Sequence, residues 1–146
     1  MGFNSMLAVT NISASGLAAE RMRMEVVANN IANAHSTRTA HGGPFRRQDV
    51  VFASVLNDQL HSGTPGAEKL GGVQIVGIVD DPSELERVYN PGHPDADPEG
   101  FVTMPNVRLP VEMVNLITAS RAYEANLRVM QSFRQNAEQA LGLLRS

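Results

Sequence analysis

Proline placement constrains this chain more than any other feature: all eight prolines lie between Pro44 and Pro110, and nine of the twelve glycines lie between Gly42 and Gly100. Proline removes a hydrogen-bond donor and clashes inside a helix, and glycine weakens one. The two ends are therefore free to form long helices, whereas the middle is confined to turns and short strands. The expectation is a mainly α chain with a small β insertion. Long N- and C-terminal helices would pair as an antiparallel coiled coil, with a small antiparallel β domain or hairpins between them. The divisions fall at 1–38 for the first helix, 39–107 for the Pro/Gly-rich insertion and 108–146 for the last helix.

Spacing supports both helices. Phe3, Leu7, Thr10, Ala14, Leu17, Arg21, Met24, Val27, Ile31 and Ala34 recur at steps of mostly three and four, which is one helix face. Two of these positions are polar, and Ser13, Ser15 and Gly16 lower helix propensity nearby. The last segment is more regular: Met113, Leu116, Ser120, Tyr123, Leu127, Met130, Arg134, Ala137, Leu141 and Leu144 alternate strictly in threes and fours, as in coiled-coil packing. Pro110 and Glu112 suit a helix start, the proline because its missing N–H would be unpaired there and the acid because it complements the dipole. A helix from Pro110 to Leu144 would be roughly 52 Å long. A compact domain of this length has a radius of gyration of about 15 Å, so an elongated molecule is expected.

Between the helices, Phe45 to Leu56, Gly72 to Val79, Leu85 to Asn90 and Gly100 to Pro105 read as strands separated by turn-forming residues. The stretch 57–72 reads as a flexible loop.

Twelve basic and fifteen acidic residues give a net charge of −3, so no basic field recommends nucleic acid as a partner. Cysteine is absent, which excludes disulfides and thiolate chemistry. The first residues lack the basic start and apolar core of a secretory signal, and no run reaches the roughly 18 apolar residues of a membrane helix. His35, His41, His61 and His93 form no i, i+4 pair of the kind that helical zinc sites use. Asp95, Asp97 and Glu99 begin like a calcium loop, but the twelfth position holds Asn106 instead of glutamate. With no G-x-S-x-G elbow or phosphate loop either, no catalytic residues, no metal site and no cofactor are expected.

Apolar residues outside the two stripes resist an ordinary monomer. Ile12, Ala19, Met22 and Val26 on the first helix, with Val114, Ile117, Val129, Phe133 and Ala140 on the last, would leave a second apolar surface for other chains. Three asparagines, Asn29, Asn30 and Asn33, interrupt the apolar run VVANNIANAHST although asparagine is a mediocre helix former. An amide that donates and accepts at once can fix register between helices; alternatively, the three lie on a solvated face and fray the helix end.

Together, VVANNIANAHST (26–37) and VEMVNLITASRAYEANLRVMQS (111–132) resemble the axial proteins of the bacterial flagellum, the rod and hook family. GGPFRRQDVVFAS and RVYNPGHPDADPEGFVTMPNV are similar to the proximal-rod branch of that family. The resemblance covers nearly the whole chain. It implies a structural subunit of the proximal rod, the drive shaft that transmits torque from motor to hook, with the terminal helices paired antiparallel in an inner tube and the insertion facing outward. It implies location in the basal body, spanning the periplasm, after export without a cleaved signal peptide. The implied partners are copies of the chain itself, other rod proteins, the flagellar export apparatus and membrane-ring components, with no nucleic acid and no direct membrane insertion. The matched family positions are Asn29, Asn30, Ile31, Ala32 and Asn33 at the start, and Val114, Asn115, Ser120, Arg121, Tyr123 and Asn126 near the end. Residues before about Thr37 and after about Pro110 are expected to fold only on assembly. A cytoplasmic coiled-coil adaptor that binds a partner helix is the alternative expectation, and a metal-dependent hydrolase built on the loop histidines a third.

Overall fold

The computed structural model describes residues 3–55 and 71–143, with side chains from residue 9 onward. In chain order it comprises α1 (Phe3–Ala32), β1 (Gln48–Val55), β2 (Gly72–Asp80), β3 (Arg87–Tyr89), β4 (Phe101–Thr103) and α2 (Leu109–Leu143). Two helices thus flank two small antiparallel sheets, β1 with β2 and β3 with β4. Every strand lies in one of the four expected stretches, with β2 running one residue further. The loop expected at 57–72 falls almost wholly outside the described residues.

The helices form where proline is absent, apart from Pro110 in the first turn of α2, but they bury the expected stripes only in part. In α2 the buried or half-buried positions include Glu112, Leu116, Ala119, Tyr123, Asn126, Met130, Phe133 and Ala137, whereas Met113, Leu127, Arg134 and Leu141 are exposed. Two three-four stripes share Leu116, Tyr123, Met130 and Ala137, and each carries two polar residues over this span, Glu112 and Asn126 on the inward one and Ser120 and Arg134 on the other. In α1 the buried positions are Ser13, Ala19, Val26, Val27 and Asn30; of the expected stripe Val27 is buried and Leu17, Met24 and Ile31 are half-buried, while Thr10, Ala14 and Arg21 face solvent. The side chains of Phe3, Leu7 and Leu144 lie outside those described.

The chain divides into two compact units. One comprises residues 23–51 and 77–118, the other 1–22, 52–76 and 119–146. In the first, β3 pairs with β4 in the register Arg87↔Thr103, Val88↔Val102 and Tyr89↔Phe101, and Val102 is almost fully buried. Tyr89 and Phe101 stack edge to face with centroids 5.3 Å apart, and the Arg87 guanidinium sits 5.1 Å from the Phe101 ring centre. Gly100 closes this hairpin at φ +86°, and a Cβ there would lie 2.9 Å from Tyr89 Cε2, so glycine is required.

In the second unit the start of β2 lies against α1. The Val73 N–H donates to Ser15 Oγ at 3.1 Å, and a Cβ on Gly72 would come within 2.6 Å of that same oxygen. Residues 50–55 of β1 and 72–79 of β2 carry no charged side chain, and Val51, Phe52, Val55, Val73, Val76, Ile78 and Val79 are exposed.

Candidate functional site

The densest polar arrangement lies in the unit formed by 23–51 and 77–118 and is centred on Glu112, in the first turn of α2. Its side chain is fully buried. Asn30 Nδ2, from the end of α1, donates to Glu112 Oε2 at 3.0 Å. Arg47 Nε, from the residue preceding β1, donates to Glu112 Oε1 at 2.8 Å. A buried carboxylate is costly unless paired and hydrogen-bonded, and here both oxygens have donors.

Asn30 itself has no exposed surface. Its amide also donates to the Gln48 carbonyl at 2.8 Å and accepts from the Gln48 N–H at 2.9 Å. It therefore behaves like one more residue of a β ladder, pinning the first residue of β1 to the last turn of α1. The neighbouring asparagines do something else. Asn33 Nδ2 reaches back to the Asn29 carbonyl at 2.9 Å, and Ser36 Oγ donates to Asn33 Oδ1. The Asn29 carbonyl thus accepts twice from Asn33, whose backbone N–H also donates to it at 3.1 Å. Asn29 is exposed; its Oδ1 accepts from Asn33 Nδ2 at 3.0 Å and its Nδ2 lies 3.5 Å from Gln48 Oε1.

Arg47 gathers further carboxylates: Nη1 lies 2.7 Å from Asp49 Oδ2 and 3.4 Å from Asp81 Oδ2. The bond to Asp49 and then that to Glu112 raise its pKa above the ordinary value, against burial, which acts the other way. Asp81 is held below the usual carboxylate range mainly by the Ser83 N–H and hydroxyl, with Arg47 adding to the effect. The Arg47 backbone is fixed as well, its N–H donating to Asn106 Oδ1 at 2.7 Å and its carbonyl accepting from Asp81 N–H at 2.7 Å. The end of α1, the start of β1, the turn after β2 and the start of α2 thus meet at one hydrogen-bonded joint, with a single guanidinium among three carboxylates.

Among the expected site residues, Asn30 and Asn115 converge on Glu112, the latter at 3.5 Å. Both of Asn30's polar atoms are thereby engaged within its own chain. Val26 is buried, and Ile12, Met22, Ile31, Tyr123, Asn126 and Phe133 are half-buried. Arg121 is exposed, as are Val114 at 63%, Ile117 at 53% and Val129 at 43%. Val111, Met113, Val114 and Ile117 occupy the first turns of α2 away from Glu112, all exposed.

Sequence reasoning missed Arg47, Gln48, Asn106 and the burial of Glu112. A signal for the last was present: Glu112 is the only charged residue in the twelve-residue run LPVEMVNLITAS. Among the described residues no cluster of three or more His, Cys, Asp or Glu could hold a metal ion, and no helix is long and apolar enough to cross a membrane.

Comparison with known proteins bears on what such a joint serves. The family model described as "Flagella basal body rod protein" matches residues 11–38, and that described as "Flagellar basal body rod FlgEFG protein C-terminal" matches residues 99–143. The flagellar basal-body rod protein FlgC of Borreliella burgdorferi is 42% identical over 143 residues, covering 92% of this chain and 94% of the relative. FlgC of Bacillus subtilis is 41% identical over 134 residues, 84% of this chain and 87% of the relative. FlgC of Salmonella typhimurium is 38% identical over 128 residues, 88% and 90%. Asn30 lies within the first matched segment and Glu112 within the second, and the chain belongs to the FlgC family of flagellar basal-body rod proteins.

Proposed function

We infer that this chain is a structural subunit of the flagellar basal-body rod, assembling through its two helices with copies of itself and with other rod proteins. In this reading it has no catalytic role. It is exported without a cleaved signal by the flagellar export apparatus, meets the membrane-ring components in the basal body, and carries torque from motor to hook as part of the proximal rod. Residues 1–38 and 108–146 are its axial segments and 39–107 its insertion.

The observation that carries the assembly reading is the exposed apolar face of α2. Val111, Met113, Val114 and Ile117 lie within two turns, and covering each side chain would contribute roughly 1.5–3 kcal/mol. An antiparallel arrangement of α1 and α2 is supported by two contacts, one in each compact unit. Asn30 meets Glu112, and the Asn126 side chain lies over Gly16, its Nδ2 being 3.1 Å from where a Cβ would stand. The relatives are rod proteins, and the cytoplasmic adaptor reading is set aside.

Deletion of the gene, followed by electron microscopy of isolated basal bodies, tests the assignment. Membrane rings without rod, hook or filament are expected, with motility restored by a plasmid copy; intact flagella would refute it. Val114→Asp and Ile117→Asp test the face. Both positions are exposed, so stability should change by no more than about 0.5 kcal/mol while motility is lost. Motile cells carrying both substitutions would remove this face from the interface.

A further inference from the structure

The two compact units differ in what holds their helical segments. In the unit of 23–51 and 77–118, the end of α1 buries Val26, Val27 and Asn30, and the first turn of α2 buries Glu112. In the other unit the buried residues, among the described residues, are the small Ser13, Ala19 and Ala119. The larger apolar side chains of these helical segments, Leu17, Tyr123, Met130 and Phe133, are only half-buried, so they contribute less toward offsetting the chain entropy of two long helical segments than full burial would. Isolated helices are marginal because their first turn is costly to nucleate, whereas adding a residue to an existing turn is not.

We propose that Glu112 is a positioning residue of the unassembled subunit. Through Asn30 and Arg47 it keeps α1 from Arg23 onward, and α2 as far as Thr118, folded before any neighbour arrives. The Val114 and Ile117 face is then presented ready made, and the remaining helical residues become helical by elongation from these two stubs when a neighbour covers them. A preformed face avoids part of the ordering cost at the moment of binding. This narrows the expectation that everything before about Thr37 and after about Pro110 is unfolded in the monomer: the boundary of order falls inside each helix. The function of the face rests on the rod-subunit reading; the folding of the stubs does not.

The chemistry of the cluster makes the charge itself necessary. Asn30 cannot turn its amide over, because its oxygen accepts from Gln48 N–H and its nitrogen donates to the Gln48 carbonyl. In Glu112→Gln, an oxygen kept for Arg47 Nε leaves an NH2 facing the Asn30 NH2, donor against donor. This near-isosteric change should therefore damage the joint, which a role in filling space would not predict.

Amide hydrogen exchange on the free, full-length chain decides the matter. In the wild type, amides of 23–32 and 112–118 should exchange at least about tenfold more slowly than those of 10–22 and 119–143, that factor corresponding to about 1.4 kcal/mol of opening free energy. Glu112→Ala and Glu112→Gln should each lower the protection of the inner segments by about 100-fold, since each strands a buried partner. Val114→Asp should leave the exchange pattern unchanged. Uniform exchange along both helices in the wild type would overturn the proposal, and so would wild-type protection in Glu112→Gln. Motile cells carrying Val114→Asp would count against the rod-face reading alone, leaving the exchange result to stand or fall separately.

Discussion

Replacing Asn30 by alanine removes three hydrogen bonds at once: to the Gln48 carbonyl at 2.8 Å, from the Gln48 N–H at 2.9 Å and to Glu112 Oε2 at 3.0 Å. The two neutral bonds contribute about 1 kcal/mol each and the charged one about 2 kcal/mol. Alanine's better helix propensity offsets roughly 0.5 kcal/mol, leaving a net loss of about 3.5 kcal/mol. In a chain of 146 residues that lowers the Tm by roughly 10 °C. Asn30→Asp has the same shape but opposite consequences for the partners: an acceptor oxygen replaces Nδ2 and faces both the Gln48 carbonyl and the Glu112 carboxylate. At neutral pH aspartate should therefore be worse than alanine, although it preserves more volume. Urea unfolding of the purified chain, followed by circular dichroism, measures both. A loss below about 1 kcal/mol for alanine, or an aspartate variant at least as stable as the alanine one, would refute the reasoning.

Two further perturbations address the β3–β4 hairpin. Gly100→Ala combines a backbone at φ +86° with a methyl group 2.9 Å from Tyr89 Cε2 and 3.2 Å from Pro91 Cβ; it should cost about 1–3 kcal/mol in urea unfolding, and a change within about 0.5 kcal/mol would contradict the hairpin geometry. Asp97 is held below its ordinary 3.8, first by the Phe101 N–H and then by Arg87 and the Glu99 N–H. A depressed folded-state pKa contributes stability that is present above the ordinary value and is lost as pH falls through the depressed one. Asp97→Asn should consequently lower the Tm at neutral pH, and the gap to the wild type should close below pH 3.8; a gap of constant size through that range would show that the carboxylate charge is not what matters.

Elements were more legible in the sequence than faces. Proline and glycine placement marks where helices cannot go, so α1, α2 and the four strands fall where local chemistry puts them. Which stripe of α2 turns inward was not legible, because hydrophobicity favours Met113 and Leu127 over Glu112 and Asn126 but Ala119 and Phe133 over Ser120 and Arg134. The choice depends on what those polar groups meet, and Arg47 and Asn30 are distant in sequence. Asn30 shows the same limit from the other side. Its amide could be read as a contact between chains or as a solvated defect, and the structure makes it a bond within the chain, completed by backbone groups of Gln48 that no spacing rule points to. The exposure of Val114, Ile117 and Val129 was legible, since they lie off the stripe that the rest of α2 uses.

The β1–β2 ribbon has a consequence for the handling of the chain before it is incorporated. Among the described residues neither strand has a second strand partner, and the segments VVFASV (50–55) and GVQIVGIV (72–79) contain neither charge nor proline. Natural sheets protect open edges with lysine, proline or bulges, and short uncharged β-formers without them stack readily between molecules. A concentrated stock of this chain is thus prone to strand-on-strand aggregation in competition with ordered growth. Adding a single lysine at an outward position such as Val76, 66% exposed, is the substitution by which a purified preparation would be kept in solution.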